Sequence, residues 1–348
     1  MILPTPLTTV LLAPLLLFAP TGSAEPRVSS KRGLVSTPDS RFPQDRDAHI
    51  WTQNSPLTWY YNYQAEPSPA FDHLPQSEFE FVPMLWGKPE NKDDTTFLQT
   101  VERLVGERKI NITHVLGFNE PDGPRKWGGS DIDPDTAAHV WLKNIAPLRE
   151  RGIRVGLPAC TGSPDGTKWL DNFLKSCSKQ LSGKGPTRNC TFDFVNLHWY
   201  GNFEGLASHI GGYSATYAHP SSASPPCRLL TSSLPRFPDK PIWITEYNLD
   251  HQDLSATQAF YNSSADYFDK TNVVERYSLF GAFRSDVSNV GPNAAMLDKD
   301  GRLTDIGAWY LGRSSTGVIP SAGLRGVEPQ HAASLLGAAV AGFAILCF

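Results

Sequence analysis

The stretch THVLGFNEPD, residues 113–122, begins as an apolar run and ends in Asn119, Glu120 and Pro121. This pattern is typical of a buried strand that stops where polar residues and a proline turn the chain. Seven further short apolar stretches occur along the sequence. They are GLVS (33–36), LTWYYNY (57–63), FEFVPMLWG (79–87), IRVGLPA (153–159), FDFVNLHWYG (192–201), PIWITEYN (241–248) and RYSLFGAF (276–283). Near-continuous apolar character, without strict alternation, indicates a parallel sheet that is buried on both faces.

Helical patterns lie between these strands. The segment 133–152 opens with Asp133 and Pro134 at the cap and first-turn positions, and the segment 255–270 begins with Ser255 as its expected cap. Residues 303–312 resemble a closing helix. An apolar face on residues 93–105 consists of Phe97, Leu98, Val101, Leu104 and Val105.

Strand and helix alternate about eight times over about 280 residues, from 33 to 312. This size and order predict an α/β protein with a single (β/α)8 TIM barrel, whose domain spans residues 25–312. A doubly wound sheet is the competing fold, but no glycine fingerprint follows the first strand and a barrel leaves no strand edges. The stretch 201–240 contains a Pro- and Ser-rich part, and we expect it to form a lid or wall above the barrel mouth rather than a second domain.

The composition is that of a globular protein with neutral partners. The chain has 348 residues, of which 40% are hydrophobic and 11% aromatic, so it can bury a large core. Its net charge is only -4 and it has no long basic run. Binding to nucleic acid or to an anionic membrane surface is therefore not expected. A monomer is expected.

Both ends of the chain resemble targeting signals. Residues 1–24 contain an apolar core followed by small residues, which predicts a signal peptide cleaved after Ala24. Residues 332–348 are apolar to the end, and the linker 313–331 carries the small triplet Ser321, Ala322 and Gly323. This pattern predicts a glycosylphosphatidylinositol (GPI) anchor, and the alternative is a short tail-anchor helix. The sequence thus predicts a secreted protein held at the cell surface or cell wall.

Cysteine usage agrees with export. Cys347 lies in the tail that would be removed, and four cysteines remain, Cys160, Cys177, Cys190 and Cys227. An even number suits two disulfides in an oxidising compartment. Their pairing stays open, although Cys177 with Cys190 would close a short loop. No Cys-x-x-Cys pair or His-rich tract is present, so neither a metal nor a cofactor is expected. Candidate N-glycosylation sites are Asn111, Asn189 and Asn262.

Two glutamates occur at the ends of predicted strands. Glu120 follows the fourth strand and Glu246 follows the seventh. In a barrel of this kind, functional residues collect at the carboxyl ends of the strands, and strands three apart face each other across the mouth. Either glutamate alone would more often be a solvated charge. Together they form the carboxylate pair that glycoside hydrolysis requires.

Three motifs resemble those of glycoside hydrolase family 128, a family of endo-β-1,3-glucanases in the clan of retaining barrel enzymes. They are GFNEPD (117–122), LHWYG (197–201) and WITEYN (243–248), and the resemblance covers most of the chain from 33 to 312. It implies that Glu120 is the general acid/base and Glu246 the nucleophile. It further implies that Asn119 binds the 2-hydroxyl of the reacting sugar, although Asn119 could equally be a turn residue.

Aromatic side chains at strand ends are candidate platforms for sugar rings, because sugars present apolar faces. Trp199 is the best candidate, followed by Trp86, Tyr200 and Tyr61, with Tyr63 as the alternative to Tyr61. For Phe118 and Trp243, core packing is the better interpretation. The other predicted neighbours of the substrate are His198, Tyr247 and Asn196, and a lone His on an apolar strand is more often a satisfied core residue.

The sequence leaves four functions open. The first is a hydrolase of β-1,3-glucan that acts on cell-wall polymer, and the second is a transglycosylase that uses the same covalent intermediate. The third is a glucan-binding wall protein without useful catalysis. The fourth is a hydrolase of another β-linked polysaccharide. Endo or exo cleavage is not predicted.

Overall fold

The computed structural model of the protein describes residues 28–37, 47–218 and 240–320. The predicted signal peptide and the predicted anchor signal lie outside these residues, and so do Cys227, the anchor triplet and most of the proposed wall above the mouth. Within the described parts of the chain, no helix is both long enough and apolar enough to cross a membrane.

The described residues form eight short strands that alternate with helices, as the sequence predicts for an α/β protein. The strands are β1 (Gly33–Val35), β2 (Trp59–Tyr61), β3 (Glu80–Phe81), β4 (His114–Val115), β5 (Arg154–Val155), β6 (Val195–Tyr200), β7 (Ile242–Asn248) and β8 (Val274–Leu279). All pairs are parallel, and they form three small sheets, β1-β2-β3, β4-β5 and β6-β7-β8.

Eight α-helices lie between and after these strands. They are α1 (Ala48–Thr52), α2 (Thr96–Gly106), α3 (Pro134–Asn144), α4 (Ala146–Glu150), α5 (Pro164–Ser182), α6 (Phe203–Tyr213), α7 (Leu254–Lys270) and α8 (Asp305–Tyr310). Short turns of helix lie at Pro69–Phe71, Arg125–Trp127, Ser214–Ala218, Ser285–Val287 and Pro292–Ala294.

The helix ends follow the local sequence, with two corrections. Asp133 caps α3 by accepting from Thr136 N at 2.9 Å, as predicted, but the predicted single helix over 133–152 divides into α3 and α4 at Ile145. The division has a physical cause, because a proline follows two residues later and cannot donate an intrahelical hydrogen bond. Helix α7 is capped by Asp253, which accepts from Ala256 N at 2.8 Å, so the predicted Ser255 cap is wrong.

Two groups of buried side chains form the core. The larger group lies between the strands and the helices, and it includes Phe97, Val101 and Leu104 of α2. The smaller group, here called the inner cluster, consists only of residues on or beside strands. Its members are Val35, Trp59, Tyr61, Val82, Met84, Leu116, Phe194 and Trp243. The predictions that Phe118 and Trp243 pack in the core agree with their complete burial.

A disulfide joins Cys177 of α5 to Cys190, thirteen residues later and just before β6. This is the short loop that the sequence offered among its pairings. Cys160 is buried and forms no disulfide within the described residues.

Candidate active site

Strand β7 carries Glu246 into the space at the carboxyl ends of the strands by means of a bulge. Leu197 of β6 pairs with Ile244, but the next residue, His198, pairs with Glu246, so Thr245 is an extra residue on β7. A bulge of this kind breaks the alternation of side chains between the two faces of a strand. Thr245 and Glu246 therefore both point toward His198, where a regular strand would point only one of them.

Two phenols hold the Glu246 carboxylate. Tyr63 donates to Oε1 and Tyr200 donates to Oε2, each at 2.7 Å. Burial raises the pKa of both phenols well above 10, and the charge of Glu246 adds to the shift, so both remain donors. The backbone of Tyr63 is left-handed, with φ of 63°, a conformation that non-glycine residues seldom adopt. Strain of this kind often occurs at functional sites.

Glu120 lies opposite, at the end of the segment that follows β4. Its backbone is also left-handed, with φ of 41°. Its N–H donates to Ala159 O at 2.7 Å, and its carbonyl accepts from Gly123 N at 2.9 Å and from Ser130 N at 3.1 Å. Burial raises the pKa of the Glu120 carboxyl above 4.5; the contact with His198 opposes this shift, and the charge of Glu246 adds to it.

The imidazole of His198 lies between the two carboxylates. Its Nδ1 is 3.1 Å from Glu120 Oε1 and 3.7 Å from Glu246 Oε2, and its Nε2 is 2.9 Å from Thr245 Oγ1. Thr245 in turn donates to Asn196 Oδ1 at 2.7 Å. Burial alone would lower the pKa of His198, but the charge of Glu246 and the contact with Glu120 outweigh it, so the pKa is raised above 6.5.

Three possible metal-ligand atoms lie within 4.8 Å of one another, one each from Glu120, His198 and Glu246. Among the described residues this is the group whose spacing could suit a small cation. Its atoms already have protein partners, however, because both oxygens of Glu246 accept from phenols and both ring nitrogens of His198 lie at hydrogen-bond distance. The geometry is thus that of a hydrogen-bonded carboxylate pair.

Asn119 lies directly before Glu120 and is buried. Its Nδ2 donates to Gly128 O at 3.1 Å, whereas its Oδ1 has no partner among the described residues. A buried amide oxygen without a partner costs free energy unless a ligand or a water supplies a hydrogen. Asn119 can therefore accept a hydrogen bond from a bound hydroxyl group.

A cleft of about 430 Å³ is connected to the carboxylate pair through Tyr63, which lines the cleft and donates to Glu246. Tyr63, the half-buried Trp86 and Arg125 are among the residues that line it. The sequence allowed either Tyr61 or Tyr63 at this end of β2. The structure places Tyr61 one layer below, completely buried, with its hydroxyl donating to Thr245 O at 2.9 Å. Tyr63 is therefore the aromatic residue that reaches the cleft, and Tyr61 supports the site from beneath.

Trp199, the predicted main platform, does not join the carboxylates. His198 and Tyr200 point toward them, and Trp199, which lies between these residues on β6, points the other way because side chains alternate along a strand. Its Nε1 donates to Asn202 O at 3.0 Å. Its ring lies so close to Gly162 and Gly205 that added β-carbons would come within 2.8 and 2.3 Å of it.

Tyr247 is likewise remote from the carboxylates. It is completely buried, and its ring packs against Phe268 at 5.0 Å and against Phe260 at 6.1 Å between centroids. It follows Glu246 on β7 and faces the helices, so direct contact with a substrate is not expected. Asn196 is also completely buried and reaches the carboxylates only through Thr245 and His198.

Comparison with known proteins identifies the family of the chain. Residues 33–310 match the family model described as glycosyl hydrolase catalytic core. Alkali-sensitive linkage protein 1 of Schizosaccharomyces pombe is 29% identical over 293 residues, which are 82% of this chain and 45% of that protein. The chain thus spans less than half the length of this relative.

Solved structures share the fold. A family 128, subgroup VI exo-β-1,3-glucanase from Aureobasidium namibiae has a TM-score of 0.59 and 23% identity, over 82% of this chain and 97% of that one. A family 128, subgroup VII oligosaccharide-binding protein from Trichoderma gamsii has a TM-score of 0.53 and 21% identity, over 83% and 96%. The predicted resemblance to glycoside hydrolase family 128 is confirmed. The chain belongs to the glycosyl hydrolase catalytic core family.

Proposed function

We propose that this glycoside hydrolase cleaves β-1,3-glucan with retention of anomeric configuration, with Glu120 as general acid/base and Glu246 as nucleophile. The observation that carries the proposal is the spacing of the two carboxylates. One oxygen of Glu120 lies within 4.8 Å of one oxygen of Glu246. Retaining enzymes have carboxylates about 5–5.5 Å apart, whereas inverting enzymes leave about 6.5–9.5 Å for a water. The spacing favours direct attack by one carboxylate.

The different environments of the two carboxylates support the assignment of their roles. Both oxygens of Glu246 accept hydrogen bonds, from Tyr63 and from Tyr200, which hold the carboxylate in place for attack. Burial raises the pKa of Glu120, so this carboxyl keeps a proton to higher pH. Activity that requires this proton is present below the raised pKa and is lost as the pH rises through it.

The reaction then has two steps. In the first, Glu120 gives its proton to the glycosidic oxygen while Glu246 attacks the anomeric carbon, and the bond to the leaving sugar breaks. In the second, the Glu120 carboxylate takes a proton from water, and the water oxygen replaces Glu246 on the anomeric carbon. The unpaired Oδ1 of Asn119 would accept from the 2-hydroxyl of the reacting sugar, a contact that strengthens in the transition state.

The substrate class rests on the relatives and on the cleft. A protein with the same fold is named an exo-β-1,3-glucanase. Trp86 at the cleft offers an aromatic surface for a sugar ring, and Arg125 can hydrogen-bond hydroxyl groups at the edge of that ring. Whether cleavage is endo or exo depends on the shape of the cleft ends.

We further infer that the eight strands form one closed (β/α)8 barrel. Single parallel bridges join the three small sheets, Met84 to Leu116, Gly156 to Phe194 and Arg32 to Tyr277. Together with the ladders they connect each strand to the next and β8 back to β1. Contact between Trp59 and Trp243, with ring centroids 5.2 Å apart, supports closure because these residues lie on β2 and β7.

A second candidate function is glucan binding without hydrolysis, which is favoured by one observation. A protein of the same fold is named an oligosaccharide-binding protein. Transglycosylation and hydrolysis of another β-linked polymer remain variants of the main proposal. The two carboxylates lie at a spacing that suits a retaining enzyme, which argues for catalysis rather than for glucan binding alone.

The decisive experiment measures reducing-end release from a panel of β-1,3-glucan, β-1,4-glucan, mannan and galactan by the wild type and three variants. Glu120→Gln and Glu246→Gln should each abolish most turnover on β-1,3-glucan while folding is kept. Glu150→Gln, an exposed helix residue, is the matched control. Wild-type binding to glucan without any product would overturn hydrolysis and favour the binding protein. Products longer than the substrate, separated by size from the same reactions, would identify a transglycosylase.

Proton NMR of the first product distinguishes the stereochemical outcomes, because a retaining enzyme releases the β-anomer before mutarotation. Release of the α-anomer would contradict Glu246 as the nucleophile. Inversion needs a water placed for attack, and inverting enzymes keep their carboxylates about 6.5–9.5 Å apart, farther than the 4.8 Å within which an oxygen of each glutamate lies.

We propose a location at the cell surface, with roles in turnover or remodelling of cell-wall glucan. The support is the pattern of the two chain ends, together with the Cys177–Cys190 disulfide, a bond that forms in oxidising compartments. Treatment of intact cells with a phosphatidylinositol-specific phospholipase should release the protein. Retention on the cells after this treatment would contradict the lipid anchor.

A further inference from the structure

A chain of buried polar side chains runs beneath the two carboxylates. Thr245 donates to Asn196 Oδ1 at 2.7 Å, its oxygen lies 2.9 Å from His198 Nε2, and His198 Nδ1 lies 3.1 Å from Glu120. Asn196, His198 and Thr245 are completely buried. The direction of the hydrogen bonds in this chain determines which nitrogen of the imidazole carries hydrogen.

A threonine hydroxyl has a single hydrogen. With the Asn196 amide placed so that its Oδ1 faces Thr245, the hydroxyl hydrogen goes to Asn196, the Thr245 oxygen accepts from His198, and Nε2 carries the hydrogen. Nδ1 then faces Glu120, and a hydrogen bond between these two atoms requires one proton, on the carboxyl or on the imidazole. If that proton were lost, a lone pair on nitrogen would face a buried carboxylate.

We propose that Thr245 is a positioning residue that fixes the tautomer of His198, so that His198 and Glu120 together hold the proton delivered to the glycosidic oxygen. The inference rests on the proposed function of Glu120 as the acid. In the first step the proton passes from the Glu120 carboxyl to the leaving oxygen, and in the second step water returns it. Between the steps the carboxylate faces the bare Nδ1, which makes it a stronger base toward the incoming water.

The bulge in β7 makes this arrangement available. Without the extra residue, Thr245 and Glu246 would point to opposite faces of the strand. With the extra residue, these two adjacent side chains reach opposite sides of the site. Glu246 contacts its two phenols, and Thr245 lies on the far side of His198. The peptide of Thr245 is itself fixed, because its carbonyl accepts from Tyr61 at 2.9 Å and from Ser278 at 2.6 Å.

The groups that act on His198 come from several elements. Glu120 and Asp122 follow β4, Glu246 lies on β7, and the phenols of Tyr63 and Tyr200 reach Glu246 from β2 and β6. The pKa of Glu120 is raised chiefly by burial, and the pKa of His198 is raised because the charge of Glu246 outweighs burial. Both directions agree with a pair that keeps its proton to higher pH.

The test compares three variants by the pH dependence of kcat/KM on a β-1,3-glucan oligosaccharide. Thr245→Val removes the acceptor, so His198 can move its hydrogen to Nδ1 and donate it to an ionised Glu120. The proton is then lost more easily, and the basic limb should move to lower pH by about one unit, with little change in KM. Thr245→Ser keeps the hydroxyl and should restore the wild-type limb. Ser264→Ala removes a buried hydroxyl of α7 that donates only to carbonyls of its own helix, and its limb should stay in place.

Nitrogen-15 NMR of the imidazole, assigned by comparison with His198→Gln, reads the tautomer without any turnover. Hydrogen on Nε2 in the wild type and on Nδ1 in Thr245→Val is the expected result. A bare Nε2 in the wild type, or coincident pH profiles of wild type and Thr245→Val, would overturn the inference. If Thr245→Val does not fold, the wild-type spectrum and the Thr245→Ser profile still decide. An inactive wild type with hydrogen on Nε2 would overturn the proposed hydrolysis and leave the tautomer assignment standing.

Discussion

Glu80 should stabilise the folded protein through a buried ion-pair network at the amino ends of the strands, opposite the carboxylate pair. Its Oε1 accepts from Thr113 at 2.6 Å and lies 2.8 Å from His114 Nδ1, while Oε2 accepts from Arg276 at 2.6 Å. Burial alone would raise the pKa of Glu80. Hydrogen bonding by His114 and the charge of Arg276 outweigh burial and lower the pKa from 4.5 to about 2.

The magnitude of the effect follows from this shift. The difference between 4.5 and about 2 is about 2.5 pH units, which corresponds to about 3 kcal/mol of folding free energy. Because the folded-state pKa lies below the unfolded value, this contribution is complete above pH 4.5 and is lost as the pH falls toward 2. At neutral pH, Glu80→Gln should therefore lower the midpoint of thermal unfolding by about 6–12 °C.

Urea unfolding of the wild type, Glu80→Gln and Glu78→Gln at pH 7 and at pH 3 measures the prediction. Glu78 is exposed and two residues away, so its variant should follow the wild type at both pH values. The gap between the wild type and Glu80→Gln should be about 3 kcal/mol at pH 7 and clearly smaller at pH 3. Equal stability at pH 7, or a gap independent of pH, would refute the reasoning.

Three further predictions concern the site and its support. Tyr63→Phe removes a 2.7 Å hydrogen bond to a carboxylate and should lower kcat/KM about 10- to 100-fold, while Tyr247→Phe, at a buried position remote from the site, should not. Initial rates on a glucan oligosaccharide, with circular dichroism as the folding control, compare the two. Replacing Cys177 and Cys190 by Ser should cost about 3 kcal/mol, measured by urea unfolding with and without reductant. A β-carbon on Gly129 would lie 2.2 Å from a carbonyl oxygen of the turn that carries the acid, so Gly129→Ala should cost about 1–3 kcal/mol in the same assay and also reduce the initial rate.

Most of the fold could be predicted from local sequence. Seven of the eight apolar stretches contain a whole strand, and the eighth, 276–283, overlaps β8, which begins two residues earlier, because a strand buried on both faces needs apolar residues almost throughout. The strands are shorter than these stretches, since pairing in β3, β4 and β5 covers only two residues each. The extent of pairing depends on neighbours that are distant in sequence, and no local pattern records it.

The site was predictable in its two carboxylates and less so in their surroundings. Glu120 and Glu246 come together as expected for strands three apart. Alternation on β6 would have directed Trp199 away from the two carboxylates once His198 and Tyr200 were placed toward them, because side chains alternate along a strand. Tyr61 and Tyr63 share a face of their strand, so only depth separates them, and depth is a property of the assembled fold. Thr245 was missed because regular alternation puts it on the face opposite to Glu246.

The bulge and the left-handed turns explain why identical side chains acquire different chemistry here. Burial raises the pKa of the Glu120 carboxyl, so this group keeps its proton to higher pH, whereas the oxygens of Glu246 accept from two phenols and are held for attack. The phenols reach Glu246 because the bulge turns it toward them, whereas the left-handed backbone of Glu120 directs its carboxyl toward His198. The division of roles therefore lies in backbone geometry, and removal of both phenols should lower turnover before it affects the fold.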